Sequence, residues 1–151
     1  MAQMHIDTPV GQLAIDEMDG TITRVRWRAT ERPSETPLLR EACRQVSAYF
    51  AGDLTDFDLP LAPAVSEFEK GVLDAMLRIP FGETRTYGDL ARELDAQPQA
   101  IGQACGANPI PLIIPCHRIL AANGLGGYSG DGGIETKITL LRHERAGGLL
   151  L

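Results

Sequence analysis

The spacing of apolar residues changes once along this chain, and that change restricts its fold more than any other feature. From Met4 to Trp27 the apolar and small residues tend to alternate: Met4, Ile6 and Thr8, then Leu13 and Ile15, then Ile22, Val25 and Trp27. A period of two is the signature of a half-buried strand. Pro9-Val10-Gly11 and Asp19-Gly20 interrupt the pattern, and Asp-Gly is a strong signal for a tight hairpin. A short antiparallel meander is predicted. From Thr36 the spacing becomes helical. Thr36-Pro37 reads as an N-cap and first helical residue, Leu39, Cys43, Val46 and Phe50 make one stripe, and Gly52 ends it. Cys43 is expected in the core.

Leu59–Val65, with Pro60 and Pro63, reads as a linker between a domain at 1–62 and a second at 63–151. The second opens on Ser66-Glu67-Phe68-Glu69, a capping box whose side chains satisfy the free amides of a helix start. Phe68, Val72, Leu73, Met76 and Ile79 continue that helix to Pro80. After the turn Pro80-Phe81-Gly82-Glu83, Thr86 can cap a short helix carrying Leu90, Ala91 and Leu94. Asp95-Ala96-Gln97 breaks it, and Pro98 opens another helix that ends at Gly106. Two short helices joined by a tight turn suggest a helix-turn-helix. Ala100, Gly102, Ala104 and Gly106 leave one surface of the second helix nearly bare, open to close approach by a nucleic acid strand or by a neighbouring helix. A last helix is read from Ile134, Ile138 and Leu141, with Glu144 at its end. Strands followed by helices make the chain α+β.

Of the 151 residues 44% are hydrophobic, enough for a core in either domain. The longest apolar runs fall far short of the roughly 20 residues that span a bilayer. Met1–Val10 lacks a basic start followed by an apolar stretch. No membrane partner and a cytoplasmic location are expected. Cys43, Cys105 and Cys116 are odd in number with no CxxC, against both a disulfide framework and a zinc ribbon. The net charge of −6 is spread over both parts, with six Lys+Arg against ten Asp+Glu up to Val65 and eight against ten after it. That balance argues against bulk electrostatic coating of nucleic acid, and any contact with DNA must rest on local geometry and backbone donors.

The segment from Asn108 to Leu120 carries the chemistry. It places one thiol, Cys116, in an apolar run with His117 and Arg118 directly after it. Burial disfavours the thiolate, whereas an imidazole or a cation favours it. Neighbouring residues point in different directions, so a water between Cys116 and His117 would complete the contact. His117 would then need an orienting acceptor, for which Glu144 is the candidate. The same residues also suit a small core cysteine, a structural histidine and a solvated glutamate, and spacing does not decide between these readings.

Ile114-Pro115-Cys116-His117-Arg118-Ile119 resembles the active-site signature of O6-alkylguanine-DNA alkyltransferases. The surrounding motifs, in the family's order, are the Pro80–Glu83 turn, Tyr87-Gly88-Asp89-Leu90-Ala91, Asn108-Pro109, Gly127-Tyr128-Ser129-Gly130 and Leu140-Leu141-Arg142-His143-Glu144. The resemblance implies a small N-terminal ribonuclease-H-like domain followed by a mainly helical, winged helix-turn-helix-like alkyltransferase domain. It implies irreversible transfer of an alkyl group to Cys116 from O6 of a flipped-out guanine, with O4 of thymine a related target, once per molecule. His117 would take the thiol proton through a water, Glu144 would orient His117, and Asn108 would brace the turn leading to an active-site strand. Tyr87 would crowd the phosphate backbone, Tyr128 and Ser129 would line the guanine pocket, and Ala100, Gly102 and Arg118 would belong to the DNA-facing surface. The partner would be double-stranded DNA bound by a monomer without a cofactor. Some relatives hold an N-terminal zinc, but Cys43 and His5 are too few ligands for a tetrahedral site.

The chain departs from the family where most members place an arginine on the recognition helix, because Gln99 stands there. The stretch between Tyr87 and Asn108 is also about two residues shorter than the pattern. Glutamine lacks the charge and rigid plane of arginine, so weaker duplex binding or slower flipping is expected. Two further readings stand beside transfer: a non-catalytic lesion sensor, and an unrelated cysteine hydrolase using a Cys-His-Glu set. Turnover separates them, at one equivalent, none, or many.

Overall fold

The computed structural model describes residues 1–128 and 130–148, and its contacts divide the chain into Met1–Ala64 and Val65–Leu151. In the first unit β1 (Ala2–Thr8), β2 (Gly11–Met18) and β3 (Thr21–Arg26) form an antiparallel sheet in that order. The hairpin at Asp19-Gly20 uses positive φ at both residues, 52° and 77°, which explains its composition. Leu13, Ile15, Ile22 and Val25 are buried, and α1 (Pro37–Phe50) packs on β1 and β2.

Strict alternation hides a second buried set. Gln3 and Asp16 are also inside. Gln3 donates to Asp16 at 2.6 Å and accepts the amides of Thr30 and Glu31 at 3.1 Å, while Arg26 reaches Asp16 at 3.2 Å. Each buried polar group thereby keeps a partner. On α1 the buried face is Leu39, Ala42, Gln45, Val46 and Tyr49, so the stripe is rotated from the one expected. Cys43 is only half-buried and is not the core residue predicted. Gln45 turns inward because its amide both accepts from and donates to the Asp58 backbone, at 2.8 and 3.0 Å. Ile22 likewise bonds Pro60 and Ala62, so the start of the proline-rich segment is stitched to β3 rather than being a free linker.

The second unit begins with α2 (Glu67–Leu77), closed by the reciprocal Ser66–Glu69 box. A second box, Thr86–Asp89, starts α3 (Tyr87–Leu94), with bonds of 3.0 and 2.9 Å. Asp95 adopts the left-handed conformation that ends α3, and α4 (Pro98–Gly106) follows three residues later with proline as its first residue. α4 packs against both α2 and α3. β4 (Arg85–Thr86) and β5 (Ile119–Leu120) pair in parallel, which ties the start of α3 to the residues just after His117 and Arg118. α5 (Ile134–His143) buries Thr136, Lys137, Leu140 and Leu141. Ile134 is 39% exposed, so the stripe expected from Ile134, Ile138 and Leu141 is also rotated. Among the described residues no helix is long and apolar enough to cross a membrane.

Thr86→Ala removes the acceptor for the Asp89 amide and should cost about 1 kcal/mol. Urea unfolding of the variant should show a lower midpoint with an unchanged slope, and an unaltered midpoint would remove this cap from the account.

Candidate active site

The expected active-site strand is a tight loop leading into a single 3-10 turn at Cys116–Arg118. Asn108 organises it. Its side-chain oxygen accepts the Ile110 amide at 3.0 Å and its nitrogen donates to the Ile114 carbonyl at 2.9 Å. The loop closes on itself through Ile114 N to Ile110 O, 2.9 Å, and Cys116 N to Ile114 O, 2.8 Å. Ile110, Leu112, Ile113 and Ile114 are all buried. A chain that must fold back so tightly within an apolar core cannot run as an extended strand, and Leu112 takes a positive φ of 73° to do so.

The loop brings three polar side chains together inside the unit. His117 lies 2.8 Å from Glu144 through Nε2, and both side chains are fully enclosed. Arg118 donates to Glu144 through Nε at 2.8 Å and Nη2 at 3.0 Å, and through Nη1 to the Ile79 carbonyl at 2.6 Å. Beside that guanidinium Glu144 is a carboxylate, an acceptor only, so the proton between the two groups belongs to His117 Nε2. Nδ1 then carries the lone pair, and it is buried without a hydrogen-bond partner. Burial holds the His117 pKa below its ordinary value, against the pull of Glu144. His117 is thus a neutral base with its free nitrogen inside the protein.

Burial pushes the Cys116 thiol up, while hydrogen bonds from Asn108 and from its own amide, and the charge of Lys137, favour the thiolate. Cys105 is pushed up to about 12, chiefly by burial. Of the two thiols, Cys116 is the one with hydrogen-bond donors acting on its sulfur and with the histidine next in sequence.

Cys116 opens on a cavity of about 290 Å³ lined by Tyr87, Gly102, Cys105, Gly106, Cys116, Gly127 and Tyr128. That volume is near the lower end of small-molecule sites. Gly126 has a φ of 71°, and a Cβ there would stand 3.1 Å from the Tyr87 ring, so the loop can approach Tyr87 only as glycine. Burial raises the pKa of both Tyr87 and Tyr128, which keeps two phenol donors at the cavity.

Several expected residues stand elsewhere. Arg118 is not on a DNA-facing surface: its guanidinium turns inward because Glu144 and the Ile79 carbonyl need donors. Ala100 and Ala104 line a separate groove with Phe68, Glu69 and Gln103, while Gly102 and Gly106 face the cavity. The bare surface expected on α4 is therefore two surfaces on different sides of the helix. Gln99 is exposed in the first turn of α4. Ser129 lies outside the described residues. Sequence reasoning missed Lys137, which is completely buried. Its signal was present, since Lys137, Leu141 and Glu144 share one helical face at i, i+4 and i+7.

Residues 2–63 match the ribonuclease-like domain, and residues 67–146 the DNA binding domain, of the 6-O-methylguanine DNA methyltransferase family. The chain is 41% identical to the methylated-DNA--protein-cysteine methyltransferase of Mycolicibacterium paratuberculosis, covering 93% of this chain and 90% of that one. It is 39% identical to the protein of the same name from Methanosarcina acetivorans, covering 91% and 94%. The crystal structure of Mycobacterium tuberculosis OGT in complex with DNA superposes with a TM-score of 0.86 at 39% identity, covering 96% of this chain and 93% of that one.

Arg118→Met strips Glu144 of two charged donors and leaves its carboxylate buried. Stability should fall by about 3–5 kcal/mol, read from urea unfolding, and a loss below about 1 kcal/mol would mean the pair is not the anchor described. The lowered His117 pKa sets a second outcome. Its contribution is complete above the ordinary value of 6.5 and is lost as pH falls from there through the folded value, because only the unfolded chain takes up the proton. Unfolding midpoints should decline from pH 7.5 to 5.5, and His117→Gln should flatten that slope.

Proposed function

The chain belongs to the 6-O-methylguanine DNA methyltransferase family, and on that premise we propose that it repairs DNA by transferring an alkyl group from O6 of guanine to Cys116. The observation that carries this reading is the His117 Nδ1 lone pair, buried on the residue that follows the nucleophile and held in that tautomer by the Arg118-paired carboxylate of Glu144.

The reaction is a displacement at the alkyl carbon. The Cys116 proton passes to His117 Nδ1 through a bridging water, and the resulting imidazolium is stabilised by Glu144. The Sγ–C bond forms as the C–O6 bond breaks, and the electron pair leaves on the guanine. Tyr87 and Tyr128, whose phenols stay protonated, offer donors to the departing ring. The product thioether has no hydrolysable bond, so one molecule serves once. The target carbon is inaccessible within a stacked duplex, and the base must leave the helix to enter the cavity at a cost of a few kcal/mol, least for a damaged pair.

DNA is the partner, and this reading takes the lesion-bearing duplex to be bound by one copy of the chain in a reducing compartment where Cys116 remains a thiol. The surface that meets it is α4, presented by the α3–α4 pair with Gln99 exposed in its first turn. Glutamine at that place gives hydrogen bonds without charge, and a weaker grip on the opened duplex follows.

Incubation with a duplex carrying one O6-methylguanine should add one methyl group per molecule to the intact mass, and Cys116→Ala should add none. Lesion-selective binding without mass gain would make the protein a sensor, and many product molecules per protein would make it a hydrolase. Gln99→Arg should raise the transfer rate on duplex at least about fivefold, on the order of 1 kcal/mol, with the free alkylated base reacting as before. Equal rates on duplex would dispose of the role given to Gln99.

A further inference from the structure

The second unit buries a lysine that the mechanism above does not use. Lys137 is fully enclosed on α5, and its Nζ donates to the Ile119 carbonyl at 2.5 Å and to the Gly127 carbonyl at 3.0 Å. Both acceptors are neutral, and among the described residues no carboxylate pairs with it. The two carbonyls have different owners. Ile119 directly follows the 3-10 turn that carries Cys116, and Gly127 belongs to the cavity wall next to Tyr128.

The buried charges around the nucleophile do not balance. Glu144 is balanced by Arg118, and burial keeps His117 neutral. Lys137 is left as a cation without a counter-ion. It interacts electrostatically with the sulfurs of Cys116 and Cys105, and Tyr87, Tyr128 and His117 are the other titratable groups around those thiols. A buried cation without a partner is costly, and a thiolate at Cys116 would place beside it the negative charge it lacks.

We propose that Lys137 is a positioning residue for alkyl transfer: its ammonium ties the nucleophile's turn to the cavity wall through two carbonyls and holds the counter-charge for the Cys116 thiolate. The proposal rests on Cys116 being the acceptor. It also divides labour within the site, with His117 removing the proton and Lys137 stabilising the sulfur anion left behind. Lys137 itself is lowered to about 8 by burial, so it remains mostly charged at neutral pH. The Cys105 thiol shares the same field but lies too high to ionise there.

The rate of Cys116 alkylation by iodoacetamide is measured from pH 6 to 10.5, with the modified cysteine located by peptide mass, in the wild-type chain, Lys137→Met and Lys137→Arg. Lys137→Met should move the midpoint of the pH profile up by about one unit, a tenfold loss of rate near neutrality that fades at alkaline pH, and Lys137→Arg should restore part of it. Methyl transfer from duplex should follow the same profile, whereas failure of transfer in the wild type with the iodoacetamide profiles intact would count against the proposed function alone. A loss of equal factor at every pH, or no change, would overturn the proposal. If Lys137→Met does not fold by urea unfolding, the wild-type chain decides the matter. Its Lys137 Nζ, titrated by nitrogen-15 NMR, should lose its proton at lower pH once iodoacetamide has capped Cys116, and an unmoved titration would overturn the counter-charge role.

Discussion

The second unit depends on one buried carboxylate. Glu144 caps the end of α5 and accepts from His117 and twice from Arg118, while Arg118 also holds the Ile79 carbonyl just beyond α2. Three segments far apart in sequence thus meet at one charge. Ion pairs of this kind rarely add net stability over an apolar substitute, because desolvation consumes most of the attraction. What this one supplies is definition. With Glu144 held ionised by Arg118, the His117 tautomer is no longer a choice, and the free nitrogen falls on the side away from the carboxylate.

That definition comes with a conflict that the fold resolves by distributing charge. The enclosure that fixes His117 also penalises the Cys116 thiolate and lowers the basicity of the imidazole, so the same burial opposes both halves of the proton transfer. The Asn108 amide, the Cys116 backbone amide and the Lys137 ammonium act on the sulfur in the other direction. None of these needs to move when the reaction occurs. Preorganised donors of this sort act most strongly where water is excluded, and a thiol that reacts once has no need to be regenerated.

The elements of this fold were legible in the amino-acid pattern wherever the local signal and the tertiary demand agreed. The Asp19-Gly20 hairpin, the Thr36-Pro37 start, the capping box at Ser66, the cap at Thr86 and the Pro98–Gly106 helix all follow from backbone chemistry that acts over three or four residues. The phase of each helix was less legible. On α1 and α5 the buried face includes Gln45 and Lys137, residues that a pattern of apolar side chains passes over because their burial requires a partner elsewhere, the Asp58 backbone in one case and the Ile119 and Gly127 carbonyls in the other. Arg118 escaped for the same reason. A guanidinium beside a nucleophile reads as a surface contact until Glu144 is placed next to it, and a helix end about 26 residues away cannot be placed from spacing.

An acidic chain as a DNA partner is explained by where its cations are. Arg118 and Lys137 are spent inside, Arg78 pairs with Glu93, and Arg92 pairs with Asp89. Among the described residues these pairings leave less unpaired positive charge to pull on phosphate. Recognition on the proposed reading therefore shifts from long-range attraction, which is salt-sensitive and indifferent to the lesion, toward close fit at the α4 surface and selection by the cavity. A glutamine at position 99 is consistent with that shift, since a weak grip on intact duplex matters less when the extruded base itself supplies the discriminating contacts. On that reading, selection falls to the ease with which a poorly paired guanine is extruded, and the cost is speed on any given site.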